Sequence, residues 1–443
     1  MVEQVNNLCY NKEKPLRGDK MNCNILDFGA VADGVTLNTS AIQEAIDHCA
    51  ESGGGRVTVP TGIFKTGTIW LRSKVELHLE SGSELLASDN MDDYNETDAY
   101  EQNFDCIFED WVGKHLIIAH EIENCAITGS GRINGNCQAF VTEEPSPEGK
   151  TYGWCHGVSR VKDAERLRPG QLICFIESKN VNVFDVTIVN SPCWSCFLHG
   201  CEFVQIRGIR VKNPIWMLNS DGIDIDASRY VTVSDCIIET GDDAITLRGC
   251  EARLKNKEMH CEYVTVTNCV LSTGICAFRI GVGTGVVRHA RISNISIVRC
   301  CNVVELCTAY INKGGVDIED VNFSNISAQN TDRCFKAFAR NGAKIKNITL
   351  ENIRSTSTTM NYLDCIEGEI SNVNIRNVEI DYFDRATVMP ESELAYRGNH
   401  LLSLKKTTGV TLDGITLRGT LYGVAEPIEI IDSEAIVKRN CNF

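Results

Sequence analysis

The feature of this sequence that most constrains the fold is a repeat of short β-type segments that share one pattern. A polar residue or glycine is followed by alternating apolar residues, as in DCII from Asp235 and NISI from Asn294. The residues that open the repeats follow one another at intervals of 23 to 37 positions; they are Asp185, Gly208, Asp235, Asn268, Asn294, Asn325, Asn352, Asn377 and Gly414. A period in this range, carried by short strands without intervening helices, is typical of a solenoid.

Parallel strands are normally joined by helical crossovers. A coil that lays each strand on the one below it avoids the crossover, and Asn, Asp and Gly supply the corners that such a coil needs. The sequence therefore predicts an all-β chain that forms a right-handed parallel β-helix. We expect the Asn residues that open the repeats to be corner residues or to form side-chain ladders, without a part in chemistry.

One helix is expected, near the N-terminus. Ser40 and Gln43 have the spacing of a capping box, and a single apolar helical stripe follows, made of Ala41, Ile42, Ala45, Ile46 and Cys49. This short helix is predicted to cap one open end of the apolar core. Residues 1–22 are interpreted as a polar N-terminal lead-in and residues 23–443 as a single parallel β-helix domain.

Composition excludes several classes of partner. The formal charge of −16 argues against sequence-independent binding of nucleic acid or of an anionic membrane surface. The sequence shows neither a signal-peptide h-region nor an apolar run of membrane-spanning length, so a cytoplasmic location is expected. Most of the 22 cysteines are then expected to be reduced, small and buried. The sequence leaves homo-oligomerisation open.

Acidic residues cluster in NSDGIDID and in ETGDDAITLR. Asp221 precedes Asp242 by 21 residues, close to one short coil, so the two are predicted to stack on neighbouring rungs roughly 5 Å apart. Asp242 and Asp243 would point to opposite faces of a regular strand, but Gly241 can supply an irregular corner that presents both. Three carboxylates in one groove suit glycoside hydrolysis, in which one is protonated and another ionised. A solvated acidic turn is the other interpretation of these residues alone.

The same residues resemble a known family. NSDGIDID resembles the NTDGID motif of glycoside hydrolase family 28, the polygalacturonase family, and TGDDAITLR resembles its GDDC motif. RPGQLICF, NSPCW and the HGC that follows resemble a further segment, and the match runs in order from about residue 26 to about residue 355. The resemblance implies a right-handed parallel β-helix, with residues 23–443 as the catalytic domain. It also implies hydrolysis of α-linked galacturonide bonds in uronic-acid-containing, pectin-derived oligosaccharides, with inversion and without metal or cofactor.

Roles follow from the resemblance, residue by residue. Asp242 would be the general acid, while Asp221 and Asp243 would hold and deprotonate the attacking water. Asn219 and Gly241 would shape the site.

The sequence departs from the family pattern at two points. Cys276 takes the place of a histidine, as in the rhamnogalacturonan-cleaving branch of the family, so polygalacturonan and rhamnogalacturonan fragments are both candidate substrates. An Arg-x-Lys motif that grips a substrate carboxylate would align with Cys334, Phe335 and Lys336, of which only the lysine matches. Arg279, three residues after Cys276, can replace the missing arginine as a substrate ligand.

Other groove candidates are weaker. His199 matches a family position that lines the groove, and Arg248 is either a substrate ligand or only a counter-ion for the acids. Trp194 and Tyr310 could stack on a sugar ring or pack in the core. The segments 88–106 and 141–170 are predicted to wall the cleft.

Two alternatives stay open at this point. A metal-assisted polysaccharide lyase or uronate epimerase would use the acids as Ca²⁺ ligands and Lys336 or Arg279 as the base. A non-catalytic carbohydrate-binding solenoid would bind sugar without turnover.

Overall fold

A computed structural model describes residues 21–96, 111–145, 157–162, 168–309, 314–383, 400–421 and 423–443. These residues are mostly β-strand, with one α-helix and the short 3₁₀ turns Ile25–Phe28, Met91–Asp93, Cys137–Ala139 and Glu251–Arg253. Strands of successive coils pair in parallel, so the chain forms a parallel β-helix, as the repeat predicted.

The strands stack into three parallel sheets, which we call A, B and C in the order in which each coil visits them. Sheet A consists of Met21–Asn24, Gly55–Val59, Val75–Leu79, Glu123–Gly129, Lys179–Phe184, Glu202–Arg207, Arg229–Ser234, Cys261–Thr267, Val286–Cys307, Asp317–Ala328, Lys344–Ser357, Glu369–Tyr382, Thr408–Asp413 and Val437–Arg439. The four longest of these strands continue around a corner into sheet B, and Val286–Cys307 also reaches sheet C.

Sheet B otherwise contains Asp33–Leu37, Gly62–Thr66, Ser83–Ala87, Arg132–Asn134, Thr187–Val189, Arg210–Lys212, Ile237–Thr240, Val270–Thr273 and Thr416–Gly419. Sheet C contains Ile69–Trp70, Ile117–His120, Ile173–Ile176, Cys196–His199, Ile223–Asp226, Ile245–Gly249, Cys276–Gly283, Thr331–Ala339, Asn361–Cys365, Leu402–Lys405 and Ile428–Ile431. Outside the coils, Trp111–Val112 pairs with Arg168–Pro169, and Val141–Pro145 pairs antiparallel with Gly157–Val161.

One apolar core runs inside the coil. Side chains alternate between the interior and the outer face, as in Arg229–Ser234, where Val231 and Val233 are buried and their neighbours are not. Most of the described cysteines are buried free thiols, in agreement with their prediction as small apolar residues. Because alternate side chains point outward, the residues available for chemistry lie on the outer face of a sheet or at a corner.

The corner residues explain the repeat. All nine residues that open the repeats have positive φ, between 48° and 68°, the left-handed conformation that Asn, Asp and Gly tolerate. Their side chains also form a ladder, in which the Nδ2 of Asn325, Asn352 and Asn377 donates to the Oδ1 of the preceding asparagine at 3.3, 3.2 and 2.8 Å. The prediction that these residues are structural is confirmed.

The helix Thr39–Glu51 buries Ile42, Ala45, Ile46 and Cys49 against the first coils, so the predicted apolar stripe and cap are confirmed. The predicted capping box is wrong. The N-cap is Asn38, and the Gln43 side chain instead exchanges two hydrogen bonds with the backbone of Trp70, at 2.7 and 3.1 Å. Gln43 satisfies the backbone N–H and C=O of Trp70 in the strand Ile69–Trp70. These two hydrogen bonds replace the one that a capping box would make. Among the described residues, no helix has both the length and the apolar character needed to cross a bilayer.

Part of the sequence predictions lies outside the described residues. This holds for residues 1–20 of the lead-in, for Tyr310, and for residues 97–106, 146–156 and 163–167 of the two predicted cleft segments. The first strand, Met21–Asn24, begins two residues before the predicted start of the domain. The extent of the domain as a single unit stays a prediction.

Candidate active site

Three aspartates meet where two neighbouring strands of sheet C begin. Asp221 precedes the strand Ile223–Asp226, and Asp242 and Asp243 precede the strand Ile245–Gly249, with which it pairs. One carboxylate oxygen of each aspartate lies within 4.8 Å of one from each of the other two. The convergence predicted from the coil spacing is therefore confirmed.

The register corrects one detail of that prediction. Ile223 pairs with Ile245, which is 22 positions later, so Asp243 rather than Asp242 follows Asp221 in the stack. The amide of Gly222 accordingly donates to the carbonyl oxygen of Asp243 at 3.0 Å. Asp242 lies in the bend before the strand Ile245–Gly249, and this bend adds one residue to the coil. From the bend its carboxylate joins those of Asp221 and Asp243.

That bend holds Asp242 in place. A Cβ on Gly241 would lie 2.2 Å from the carbonyl oxygen of Met217, so this close approach of two backbones requires glycine. The amide of Asn219, a residue with a φ of 55°, donates to Asp242 Oδ2 at 3.0 Å. The amide of Asp243 donates to Asp242 Oδ1, also at 3.0 Å. Both carboxylate oxygens of Asp242 are thus oriented by backbone groups, as expected if Asn219 and Gly241 shape the site.

Arg168 supports this arrangement and was not identified from the sequence. Its buried guanidinium donates to Asn219 Oδ1 at 2.7 Å and to the carbonyl oxygens of Pro192 and Leu218, each at 2.9 Å. The side chain of Asn219 is therefore engaged by the protein. The only sequence signal was the position of Arg168 in the RPG that opens one of the family-like segments.

Asp221 is the most strongly perturbed acid of the three. It is buried, and no hydrogen-bond partner for its Oδ1 is found among the described residues. Burial, followed by the negative charges of Asp224, Asp242 and Asp243, raises the pKa of Asp221 well above its usual value, against a smaller opposing effect of Arg248. The close carboxylates therefore favour the protonated form of Asp221, because neighbouring like charges oppose its ionisation.

Asp243 is paired with Arg279. Arg279 Nε donates to Asp243 Oδ2, Arg279 Nη2 donates to Asp243 Oδ1 at 3.2 Å, and the amide of Cys276 donates to the same Oδ1 at 3.1 Å. Burial alone would lower the pKa of Arg279, but Asp243, Cys276 and Glu305 together outweigh burial and the pKa is raised. The contact with Asp243 is therefore a charge-assisted, two-point hydrogen bond.

Glu305 links the two predicted cations of the site and was missed in the sequence. Arg279, Glu305 and Lys336 are successive partners in the register of sheet C. Arg279 Nη1 donates to Glu305 Oε1 at 2.8 Å, and Lys336 Nζ lies 2.9 Å from Glu305 Oε2. Burial would raise the pKa of Glu305, but Arg279 and Lys336 outweigh burial and hold the pKa at about 2. The charge of Glu305 likewise raises the pKa of Lys336, against the effect of burial.

Cys276 belongs to the same network as a neutral donor. Its Sγ donates to Glu305 Oε2 at 3.1 Å, as does Asn302 Nδ2 at the same distance. Burial raises the pKa of the Cys276 thiol well above its usual value, and Asp243 and Glu305 add to this effect. The structure thus links Cys276, Arg279 and Lys336 through Glu305, with Cys276 and Arg279 also in contact with Asp243. That these residues bind substrate stays a prediction.

Arg248 lies on the other side of the acids. Its Nε donates to Asp226 Oδ2 at 3.2 Å, its Nη1 lies 4.0 Å from Asp224 Oδ1, and its guanidinium carbon lies 4.5 Å from the ring centre of Trp194. These contacts are those of a counter-ion, the second of the two interpretations from the sequence. Trp194 is buried, so its ring packs in the structure and offers no open face for a sugar.

His199 is not brought to the aspartates. Its ring is completely buried, bonds the carbonyl oxygen of Cys250 through Nε2 at 2.8 Å, and packs 5.6 Å from the ring of Phe197. Burial lowers its pKa, and the nearby charge of Asp226 only partly offsets this. A side chain without exposed surface does not line an open groove, so the structure contradicts that prediction for His199.

The fold and the site together define a parallel β-helix protein whose candidate active centre is a group of three carboxylates. Residues 49–393 match the model of the glycosyl hydrolases family 28. The chain therefore belongs to glycosyl hydrolase family 28, as its motifs indicated.

Relatives in this family differ in length and mode of action. The chain is 31% identical over 256 residues to an exo-poly-alpha-D-galacturonosidase of Dickeya chrysanthemi, a match that covers 50% of this chain and 41% of that protein. It is 24% identical over 378 residues to an endo-polygalacturonase of Pectobacterium parmentieri, covering 78% of this chain and 89% of the relative. The chain spans less than half the length of the Dickeya protein, and 44% of a probable polygalacturonase of Vitis vinifera.

Solved structures share the fold. A family 28 exopolygalacturonase of Yersinia enterocolitica matches with a TM-score of 0.72 at 21% identity, over 93% of this chain and 78% of that one. An exopolygalacturonase of Thermotoga maritima matches with a TM-score of 0.66 at 21% identity, over 91% of this chain and 93% of the other. Both likenesses support the β-helix assignment.

Proposed function

We propose that this protein is a glycosidase that hydrolyses α-linked galacturonide-type bonds in pectin-derived oligosaccharides, from polygalacturonan or rhamnogalacturonan. The observation that carries the proposal is the convergence of Asp221, Asp242 and Asp243 within 4.8 Å in a chain of family 28. The galacturonan-cleaving names of its relatives support the class of substrate.

Asp242 is assigned as the general acid. It is the only one of the three that is partly exposed, while Asp221 and Asp243 are buried. It is therefore the carboxyl that can reach the glycosidic oxygen of a bound sugar. The raised pKa of Asp221 shows that negative charge at this site is unfavourable, and Asp242 lies within the same group of carboxylates.

Asp221 and Asp243 are assigned to the attacking water. Oxygens no more than 4.8 Å apart can be bridged by one water that makes hydrogen bonds of about 2.8 Å to each. Arg279 holds Asp243 in place through hydrogen bonds to both of its carboxylate oxygens. The pair would orient the water and deprotonate it as it attacks the anomeric carbon.

The stereochemical course is proposed to be inversion, as the family resemblance implies. The carboxylate spacing by itself argues the other way, because it is below the roughly 6.5–9.5 Å usual for inverting enzymes and closer to the roughly 5–5.5 Å of retaining ones. A third carboxylate removes the conflict, since two acids can hold the water while the other protonates the leaving group. NMR of the first-formed anomer distinguishes the two courses directly.

The experiment that tests the function is incubation of the protein and its Asp242→Asn variant with galacturonan and rhamnogalacturonan oligosaccharides. Hydrolysis produces new reducing ends, and the variant is expected to lose activity by a factor of about 10³ or more while folding normally. Asp185→Asn is a matched control, because Asp185 is an exposed corner residue of the kind that asparagine replaces in other coils. Normal turnover by Asp242→Asn would refute the assignment.

A lyase or epimerase is the second candidate, because the three aspartates also have the spacing to ligate a divalent cation. Such an enzyme needs a base, and the sequence offered Lys336 or Arg279 for that role. Both are paired with carboxylates that raise their pKa, which is opposite to what a basic catalyst requires. An unsaturated sugar product would nevertheless establish this chemistry, and binding without any product would establish a non-catalytic solenoid.

A further inference from the structure

Arg279 and Lys336, the two cations of the predicted substrate-binding side, are already neutralised by the protein. The guanidinium of Arg279 directs Nε and Nη2 at Asp243 and Nη1 at Glu305, so each of its nitrogens faces a carboxylate. The ammonium of Lys336 lies 2.9 Å from the other oxygen of Glu305. Asp243, Arg279, Glu305 and Lys336 thus form a chain of alternating charge with a formal sum of zero.

Glu305 is the residue that completes this balance. It faces outward from sheet C, is buried, and receives further hydrogen bonds from Cys276 and Asn302. Its two oxygens therefore have four donors from the protein, which fix it between the two cations. Displacing it would leave a buried charge without its partners, which is strongly unfavourable.

The consequence concerns the sugar that contacts this side of the site. A sugar carboxylate placed against Lys336 would lie beside the negative charge of Glu305, with neither cation free to neutralise it. Burial of an uncompensated charge is strongly unfavourable. Hydroxyl groups do not meet this obstacle, because they carry no charge and can accept a hydrogen bond from the partly exposed Lys336.

We propose that Glu305 makes this subsite selective for a sugar without negative charge, such as a neutral hexose, a deoxyhexose or an esterified uronate. The inference rests on the proposed glycosidase function and narrows its substrate class. The substrate then carries an uncharged residue against Arg279, Glu305 and Lys336. A backbone in which uncharged and uronate sugars alternate meets this condition, and a fully ionised galacturonan does not.

The test compares trigalacturonate with its methyl ester, in which each carboxylate is replaced by an uncharged ester. The ratio of kcat/KM for the ester to that for the acid is measured for the wild type and for Glu305→Gln, which removes the charge and keeps the shape. We expect the wild type to favour the ester by about 10-fold or more, and the variant to shift the ratio at least about 10-fold toward the acid. Esterification at other subsites changes the ester-to-acid ratio equally in the wild type and in Glu305→Gln. The difference between the two ratios therefore reports on the subsite at Glu305.

Glu202→Gln is the matched control. Glu202 also lies between an arginine and a lysine, with Arg229 Nη2 at 2.8 Å and Lys179 Nζ at 3.0 Å, but on sheet A. Its variant loses the same charge from the same kind of ion pair and should leave the substrate ratio unchanged. An equal shift in Glu202→Gln would assign the effect to net charge and overturn the proposal.

Binding by calorimetry separates this inference from the function itself. If neither substrate is cleaved, the proposed function fails, while tighter binding of the ester than of the acid by the wild type still supports the neutral subsite. If Glu305→Gln does not fold, the proposal is tested by whether the wild type both cleaves and binds the ester better than the acid. A wild type that prefers the free acid in both measurements refutes the proposal.

Discussion

Arg279 holds Asp243 through two nitrogens, with Nε on one carboxylate oxygen and Nη2 on the other. The strand Cys276–Gly283 that carries Arg279 lies one coil beyond the strand that follows Asp243, and the two strands pair in parallel. The pairing of strands therefore places a cation on the carboxylate that we propose as the base.

Replacement of Arg279 tests this role. Arg279→Gln is expected to lower kcat by about 10²–10³, because Asp243 loses the counter-ion and the hydrogen bonds that hold it. Arg279→Lys keeps the charge but not the planar two-point contact, so its activity should be intermediate. Both variants should lower kcat more than they raise KM. A loss confined to KM, or equal losses in the two variants, would contradict this positioning role.

Asp221 should make the folded protein less stable as pH rises, whereas a carboxyl with a lowered pKa has the opposite effect. Its pKa is raised in the folded protein, so the folded state favours its protonated form, and the stability this provides is lost as pH rises toward the raised value. Asp221→Asn is neutral at every pH and avoids that loss. We expect its Tm to exceed that of the wild type by roughly 2 °C or more at pH 8, with a smaller difference at pH 4. The exposed Asp185→Asn serves as control, and a gap that does not change with pH would contradict the expectation.

Glu305 should show the opposite dependence. Its pKa is held at about 2, so the stability from its ion pairs is present at neutral pH and is lost as pH falls from the ordinary range of a glutamate toward that value. Glu305→Gln is expected to lower the free energy of unfolding by about 3–5 kcal/mol at pH 7, and by less near pH 3. Urea unfolding at the two pH values measures the difference. An equal loss at both would mean that packing, and not charge, is responsible.

The sequence was sufficient for the coil and for the aspartates because both depend on local rules. The corner residues were recognised because a left-handed φ selects Asn, Asp or Gly, and Asp221, Asp242 and Asp243 because they fall at the start of successive strands. Glu305 was missed because it meets Arg279 and Lys336 only through the register of sheet C. The intervening segments differ in length, with 26 residues from Arg279 to Glu305 and 31 from there to Lys336.

Two local predictions failed for a related reason. The spacing of Ser40 and Gln43 satisfied the capping-box rule, but Gln43 finds the backbone of Trp70, 27 residues away in sequence. His199 belongs to a family-like segment, yet the side chain is buried beneath the site. In both cases the side chain makes its contacts with a residue of another coil, Trp70 for Gln43 and Cys250 for His199. Such contacts depend on the lengths of the turns between strands.

The asparagine ladder gives a test of the corner rule. Asn325 has a φ of 55°, and its side chain bonds those of Asn294 and Asn352. Asn325→Gly loses these bonds but accepts the φ, whereas Asn325→Ala must also adopt a conformation that costs about 1–2 kcal/mol. The alanine variant should therefore be less stable than the glycine variant by about 1 kcal/mol in urea unfolding. Equal stability would show that the hydrogen bonds alone hold the corner.

Chelation separates hydrolysis from metal-assisted chemistry at the three aspartates. In the proposed hydrolase the carboxylates supply a proton and hold a water, so a cation bound between Asp221, Asp242 and Asp243 would displace both. Dialysis against EDTA should leave kcat/KM within about 2-fold, and millimolar Ca²⁺ should leave it unchanged or lower it. In a lyase or epimerase with Ca²⁺ on these acids, EDTA should abolish turnover and Ca²⁺ restore it.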